Sequence, residues 1–415
     1  MATTRSFQDM LNEYLPYSLL KEEFIKRDYL LNKVDKKNDW KGGKLIVPFQ
    51  GAFASSVSFG SLTAATDISE DDYVRGEIST CPEVWGSMKF NHRDLMEHNG
   101  RVNEQSFLKL LPGAIEDFMD QFKFMVSQNI LTGAHYAALT ADATALGVCT
   151  VDRIERFTLG QKFQIYDAVA GSTTVYAIAI NVNTNQVTFS ATRGGVAADL
   201  SAYDLVNSPK LYLDNARSNS MTNLRSSLLS AANGGSTTLY GQTKVNYPFL
   251  QALNHDGSTI TSSNVHEKLF SFMTTTAIKG KGKPTVAIMS YKWLGYIMAN
   301  VETGIATFSK GPYKVAPNTT DVSLYGWTSV KIYGPNGMVE CVGVQEMDDD
   351  IIVLLDWRAL QYHSNGWFQK RTAPDGKQYY EVRETTGYYY IIDIGLFGDL
   401  VVSRPSYCGI IHSIP

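Results

Sequence analysis

Lys331-Ile332-Tyr333-Gly334-Pro335-Asn336-Gly337-Met338-Val339-Glu340-Cys341-Val342 opens the stretch from Val330 to Pro415 whose reading decides the fold. Asn336-Gly337 stands between β-branched and aromatic runs. So does Asp375-Gly376, between Gly366-Trp367-Phe368-Gln369-Lys370-Arg371 and Gln378-Tyr379-Tyr380-Glu381-Val382-Arg383. Such dipeptides supply the positive φ angles that two-residue hairpin loops need. Between them lies Ile351-Ile352-Val353-Leu354-Leu355, and after them come Tyr388-Tyr389-Tyr390-Ile391-Ile392 and Leu400-Val401-Val402. The block predicts one large sheet with no nucleophile, ligand cluster or phosphate loop. A sheet of that kind points to a piece of a larger body rather than a catalyst.

Working outward, Asn264 and Glu267 make a capping-box-like start to a helix with Val265, Leu269, Phe272 and Thr276 on one face. Gly280 ends it and Pro284 bars its continuation. Thr285–Met289 reads as a buried strand, and Tyr291–Val301 as a further helix capped by Ser290. Asp214–Thr238 is Asn-, Ser- and Gly-rich and reads as loop with a short helix. Ser106–Thr132 is the clearest helix: Leu111, Ile115, Phe118, Phe122, Met125 and Ile130 recur at spacings near 3 and 4, with Glu116, Asp117, Asp120 and Lys123 opposite. With Pro112 in its first turn and Gly133 as its stop, it makes a rod of roughly 29 Å.

Residues 151–212 read as a separate β module. Phe163/Ile165, Tyr176/Ile178/Ile180/Val182 and Val187/Phe189 alternate with smaller or polar residues, and glycine and asparagine turns separate them. At the other end, residues 1–41 form a charged arm, with nine basic and seven acidic residues between Arg5 and Lys44; Lys36 and Lys37 beside Asp35 and Asp39 read as a solvated linker. Residues 42–94 read as a ribbon whose outgoing arm is Leu45–Phe49 and Ala52–Phe59 and whose returning arm is Val74–Phe90. Its tip holds Asp67, Glu70, Asp71 and Asp72. A two-stranded ribbon is marginal alone in water, so this one is expected to lie on another surface, such as a second subunit. The acidic tip, with Arg75 behind it, is a candidate inter-subunit contact, favoured over a metal site.

Composition narrows the function. The chain has 415 residues, 44% apolar and 19% charged, enough for two or three domains with cores of their own. A net charge of −4 gives no electrostatic case for nucleic acid or membrane as the main partner. Tyrosine, at 23 residues, suits strands and protein interfaces. Four dispersed cysteines, Cys81, Cys149, Cys341 and Cys408, make neither a zinc ribbon nor a disulfide framework and fit a reducing compartment. The N-terminal residues lack a signal-peptide pattern, and no apolar run is long enough to span a bilayer.

No G-x-S-x-G, Walker loop or dinucleotide fingerprint is present. Gly280-Lys281-Gly282-Lys283 falls at a helix C-terminus, the wrong end for phosphate. The seven histidines lack ligand spacing. Asp348-Asp349-Asp350 lacks the alternating ligands of a calcium loop and reads as a solvated turn. No catalytic residue, cofactor or metal is expected.

In their order, these segments resemble the major capsid proteins of tailed bacteriophages, the Hong Kong 97-type fold. The likeness rests on Leu111-Pro112-Gly113-Ala114-Ile115 through Gly133, on Gly282–Ser290 with Trp293-Leu294, and on Ile351–Leu360 through Pro405. It implies an α+β fold with an N-terminal arm (1–41), an extended β-ribbon loop overlying a neighbour (42–94), a peripheral domain with a spine helix (95–150), an inserted small β-barrel module (151–212), and a central axial domain with the closing sheet (213–415). It also implies a non-enzymatic shell protein that forms pentamers and hexamers around double-stranded DNA, in a virion capsid assembled in the bacterial cytoplasm. Implied partners are copies of itself, a separate scaffolding protein, a portal protein and a decoration or cement protein. Packaged DNA would be contacted without base readout, with Arg5, Lys26, Lys36, Lys37 and Lys123 as candidate inward-facing residues. The alternatives are an encapsulin-like compartment and, from another class, a β-rich carbohydrate-binding protein or enzyme using Trp367 and the tyrosine-rich strands.

Overall fold

The computed structural model describes residues 24, 28–50, 73–91, 104–133, 135–217, 219–280, 282–307, 328–335, 337–372, 375, 377, 379–384 and 387–415. The ribbon tip with Asp67, Glu70, Asp71 and Asp72, the arm residues Arg5 and Lys26, His92 and His98 lie outside them. The chain divides into two compact units, Met1–Ser127 with Leu224–Pro415, and Gln128–Asn223.

Among the described residues the first unit holds helix α1 (Tyr29–Lys33), then strands β1 (Asp35–Lys37), β2 (Leu45–Gln50), β3 (Tyr73–Ile78) and β4 (Glu83–Asn91), and helix α2 (Glu104–Leu131). β1 corrects the linker reading of Lys36 and Lys37: it adds in parallel to a strand more than 300 residues later, with Asp35 beside Gln361. The expected returning arm is two strands. β3 pairs with β2 in a two-stranded ribbon, while β4 joins a larger sheet. Helix α2 has 28 residues, about 42 Å at 1.5 Å each. Pro112 therefore sits inside it rather than in its first turn, where a missing N–H removes one helical hydrogen bond. Ile115, Met119, Phe122, Val126 and Ile130 form its buried stripe, with Phe118 and Met125 on the flanks.

The second unit is a six-stranded sheet of β5 (His135–Ala138), β6 (Val148–Thr150), β7 (Lys162–Asp167), β8 (Gly171–Asn181), β9 (Gln186–Ser190) and β10 (Lys210–Leu213), in the order β5-β10-β7-β8-β9-β6. β5 and β6 precede residue 151, so this sheet starts earlier than the 151–212 reading; both strands are too short for their period to be read. Just past the sheet's two edges, Leu139 and Val151 form an antiparallel bridge. Around it Thr140 N donates to Thr150 O at 2.8 Å and Asp152 N to Ala138 O at 3.1 Å. The register shifts between Ala177 and Ala179, and this bulge changes which side chains of β8 face inward. Val175 and Ala177 are buried, whereas Tyr176, Ile178 and Ile180 are only half-buried and Val182 is exposed. The core is aromatic: Phe163, Phe189 and Tyr136 are fully buried and Phe157 packs among them at ring separations of 5.0 to 6.2 Å.

The first unit resumes with α3 (Leu224–Leu228), the small hairpin β11 (Thr238–Leu239) and β12 (Gln242–Thr243), β13 (Leu253–Asp256), α4 (Val265–Gly280), β14 (Val286–Met289) and α5 (Tyr291–Thr307). Then follow β15 (Thr328–Gly334), β16 (Gly337–Gly343), β17 (Ile352–Leu355), β18 (Leu360–Lys370), β19 (Tyr380–Glu384), β20 (Gly387–Val402) and β21 (Gly409–His412). These strands are not one closing sheet. β15, β16, β17 and β21 join β13 and β14 in the order β13-β21-β17-β14-β16-β15, while β18, β19 and β20 form a second sheet with β1 and β4. Helices α4 and α5 cover one face of the first sheet through Val265, Leu269, Met273, Trp293, Leu294 and Ile297. Val286, Ile288, Val353 and Ile410 on its other face are buried too, which explains the unbroken apolar runs. In the second sheet Gly86 of β4 meets helix α2: a Cβ there would stand 2.6 Å from the Phe118 ring.

The end signals of the helices are met differently than the sequence suggests. Asn264 Oδ1 accepts from Thr261 N and its amide donates to Thr259 O, tying the incoming loop rather than forming a capping box. The Ser290 hydroxyl is buried and meets no hydrogen-bond partner among the described residues, so it does not cap α5. Gly280 and Gly282 serve close packing: a Cβ on them would stand 2.2 Å from the carbonyls of Ser406 and Tyr407. Among the described residues no helix is long and apolar enough to cross a membrane.

Candidate assembly surface

The ribbon is fixed at its root. Leu45, Val47 and Phe49 of β2 point inward and are buried, while Ile46 between them is exposed. They pack with Trp40, Leu239, Tyr240, Leu250 and Val401, and the Phe49 ring stacks on Tyr240 at 5.7 Å. Opposite, β3 carries Gly76 because the Phe49 ring lies across it; a Cβ would be 2.5 Å from that ring. Glu77 N donates to Tyr240 O at 2.9 Å, and Gln242 Nε2 donates to Arg75 O at 2.8 Å. Tyr240 takes a left-handed backbone (φ 49°). Its hydroxyl accepts from Val402 N at 2.8 Å and donates to Leu400 O. One residue thus ties the ribbon to the long strand β20. The root packs on its own chain, which corrects the expectation that the whole ribbon needs a foreign surface.

Beyond Gln50 and Tyr73, the last described pair of the ribbon, the chain runs through the segment that contains the acidic cluster. Of the expected inter-subunit contacts, only Arg75 is described. It is exposed on β3, opposite Pro48.

Of the expected DNA-facing residues, Lys36, Lys37 and Lys123 are described, and each is engaged within its own chain. Lys123 is mostly buried, and its ammonium pairs with Glu346 at 2.5 Å. Burial pulls the Lys123 pKa down, but Glu346 and Asp28 outweigh it and hold the group above its usual range. Lys36 donates to the carbonyls of Asn32 and Val34, and partial burial pulls its pKa down. Lys37 donates to Gln361 Oε1 at 3.0 Å. The helical period does place Lys123 on a polar face, but nothing local shows that a buried glutamate 223 residues away takes it up.

Among the described residues, no group of three or more histidine, cysteine, aspartate or glutamate side chains could hold a metal ion. Asp348-Asp349-Asp350 is not a solvated turn: Arg225 bridges Asp348 at 2.9 Å and Asp350 at 2.6 Å, and Asp349 O accepts from Trp293 Nε1. His255 is buried, stacked on Phe272 and bonded to Thr276, and burial pulls its pKa down to about 4. His363 pairs with Asp39 at 2.8 Å. Three of the four cysteines are buried thiols, and burial pushes each up to about 12.

No family model and no curated protein sequence matches the chain. Solved structures do. The chain is similar to the capsid of cyanophage A-1(L), at 13% identity and a TM-score of 0.45 over 92% of this chain and 90% of that one. It is similar to a virus-like particle from Pyrococcus furiosus, at 9% identity and a TM-score of 0.40 over 95% and 96%. A third match is an encapsulin complex from Synechococcus elongatus, at 10% identity and a TM-score of 0.39 over 93% and 87%. A capsid, a virus-like particle and an encapsulin are what it resembles. Values this low mark distant likeness and carry no functional argument.

Sequence reasoning passed over Tyr240, Asp28, Glu346 and Arg225. Only Asp28 left a local signal, as an acidic residue one position before the short helix α1.

Proposed function

We propose that the chain is a structural shell subunit, the major capsid protein of a tailed bacteriophage with the Hong Kong 97-type fold, acting in the virion capsid after assembly in the host cytoplasm. The observation that carries this reading is the ribbon. Its root is locked into its own subunit, and an acidic stretch of 22 residues links its last described pair. A segment so held is placed to reach a neighbour without unfolding its owner. The order of elements supports the same reading: ribbon, 28-residue helix, separate β module, then two sheets. The module, closed by the Leu139–Val151 bridge, is proposed to be the inserted small barrel. Pentamers and hexamers would form through head-to-tail contacts that close into rings. Repeated contacts past roughly 800 Å² per partner would hold the shell together. The proposed partners are copies of itself, a separate scaffolding protein, a portal protein, a decoration or cement protein, and enclosed double-stranded DNA. The subunit itself is proposed to have no enzymatic activity.

The test is electron microscopy and native mass measurement of the full chain, expressed with a scaffolding partner. Shells or ring-shaped capsomers are expected; a strictly monomeric product overturns the proposal. A companion variant replaces residues 53–70 with a short Gly-Ser turn. It should melt like the parent and fail to assemble. A deletion from Gly60 to Arg75 would be the wrong test, because it removes the β3 residues that pair with Pro48, Phe49 and Gln50.

A further inference from the structure

The Gly280-Lys281-Gly282-Lys283 stretch comes to rest on a turn near the end of the chain. A Cβ on Gly280 or Gly282 would stand 2.2 Å from Ser406 O or Tyr407 O, so the two backbones touch. This contact brings Lys283 beside Tyr407. Arg358 and Arg404 converge on the same ring, with their guanidinium carbons 5.5 and 5.3 Å from its centroid. Lys283 N and Arg358 Nη2 both donate to Asp356 Oδ2, at 2.9 and 2.5 Å. Lys283, Arg358, Arg404 and Lys279, which lies in the last turn of α4, are exposed, and Tyr407 is half-buried. Three segments thus bring four basic residues to one place on the surface.

Of these, Arg358 has its charge met, by the buried Asp356 carboxylate. Lys279, Lys283 and Arg404 form no ion pair among the described residues, and Arg404 donates to the Tyr407 hydroxyl at 3.4 Å. Glu340, whose amide bonds Thr285 O, gives its carboxylate to the Tyr29 hydroxyl at 3.0 Å. Four cations against Asp356 leave a local excess of three positive charges, in a chain whose whole charge is −4. A lysine in a last helical turn offsets the helix dipole, which accounts for Lys279. It does not account for two arginines brought from other segments to one tyrosine. Charge spread over three segments, with planar guanidinium groups that match phosphate oxygens, suits a ligand whose negative charge repeats along its length.

We propose that Lys279, Lys283, Arg358 and Arg404, gathered at Tyr407, are the surface that meets the phosphate backbone of double-stranded DNA. The inference rests on the reading of the chain as a shell subunit around DNA. It moves the contact away from Lys36, Lys37 and Lys123, which are engaged within the chain. Lys283 and Arg404 offer the free charge, while Tyr407 and Asp356 hold the arginines in place. Contacts of this kind fix position without reading bases.

The experiment is fluorescence anisotropy of a short labelled duplex titrated with the unassembled full chain at a series of salt concentrations. Three net charges give a slope of log affinity against log salt of about −2.7, roughly a fortyfold loss between 50 and 200 mM salt. Lys283→Gln or Arg404→Gln should each take about 0.9 from that slope, and the two together should leave about −0.9. Neither side chain is ion-paired, so the thermal midpoint should stay at the parent's value. Arg404→Lys should keep the slope. So should Lys210→Gln, a control exposed on β10 of the other unit. No binding of the duplex, a parental slope in the double variant, or an equal loss in the control overturns the proposal. Displacement of the duplex by an equal charge of polyglutamate marks a surface for acidic protein and also overturns it. Shell formation is scored separately. A chain that builds shells without binding the duplex loses this inference and keeps the proposed function; one that binds the duplex but stays monomeric does the reverse.

Discussion

Phe49→Ala tests whether the ribbon is rooted in its own subunit. The side chain is fully buried, its ring stacked on Tyr240 at 5.7 Å and tilted against Phe249 at 6.5 Å. Truncating a buried phenylalanine costs about 3–5 kcal/mol. Of this, about 0.5–1.5 kcal/mol is the aromatic pairing. The cost should fall in the upper part of the range. Gly76, over which the ring lies, has no side chain to move into the space, and Tyr240 is held by its hydroxyl bonds to β20. A loss of about 4 kcal/mol is nearly a thousandfold change in an opening equilibrium. Hydrogen exchange reads it at the amides of β2 and β3, with the Glu77 amide bonded to Tyr240 O as the most direct reporter. Unchanged protection in β2 and β3, or a loss below about 1 kcal/mol, would refute the reasoning, since a fully buried ring at the ribbon's anchor cannot be that cheap to remove.

Gly282→Ala should lower the thermal midpoint, because the new methyl would stand 2.2 Å from Tyr407 O and the backbone must shift at a cost of about 1–3 kcal/mol; an unaltered melt would count against the close approach. His255 is neutral in the fold, with a pKa of about 4, because it is buried. The unfolded chain takes up that proton first as pH falls, so stability should drop between about pH 6.5 and 4. His255→Leu should flatten that part of the midpoint-against-pH curve, and an unaltered slope would mean that another group is responsible.

Much of the fold was legible where the signal is local. Helix α4 runs from Val265 to Gly280 as its apolar spacing and glycine stop suggest, and β14 begins one residue after the expected Thr285. β15 and β16 pair as the expected hairpin, but Gly334 stands opposite Gly337, so Gly337 belongs to the strand rather than to a two-residue Asn336-Gly337 loop. Pairing partners were not legible. The same alternating pattern suits either of two sheets, so nothing in the composition of β18 or β20 tells them from β17 or β21. β1 escaped notice because three residues of charge, Asp35-Lys36-Lys37, form a strand only when β18 is already there to pair with. The engagement of Lys123 was not legible for a related reason. A lysine reads as solvated until the distant carboxylate that neutralises it is known, and Glu346 lies after β16. The buried stripe of α2 was shifted by about one residue, since aromatic Phe118 outweighs Met119 in any reading of spacing alone.

The parallel pairing of β1 with β18 sets an order of events in the cell. Asp35 lies beside Gln361, and Trp40 N donates to Ser364 O, so the early residues of this chain have no partner until some three hundred more have been made. At typical rates of synthesis of about 5–20 residues per second, that wait is on the order of tens of seconds. The ribbon's packing on Val401 imposes the same delay. Contacts that span so much sequence also slow the folding search, because the entropy of closing the loop is lost before any contact forms. A ribosome-bound chain short of residue 361 therefore has its ribbon root unassembled. The root is completed only once Val401 has been made.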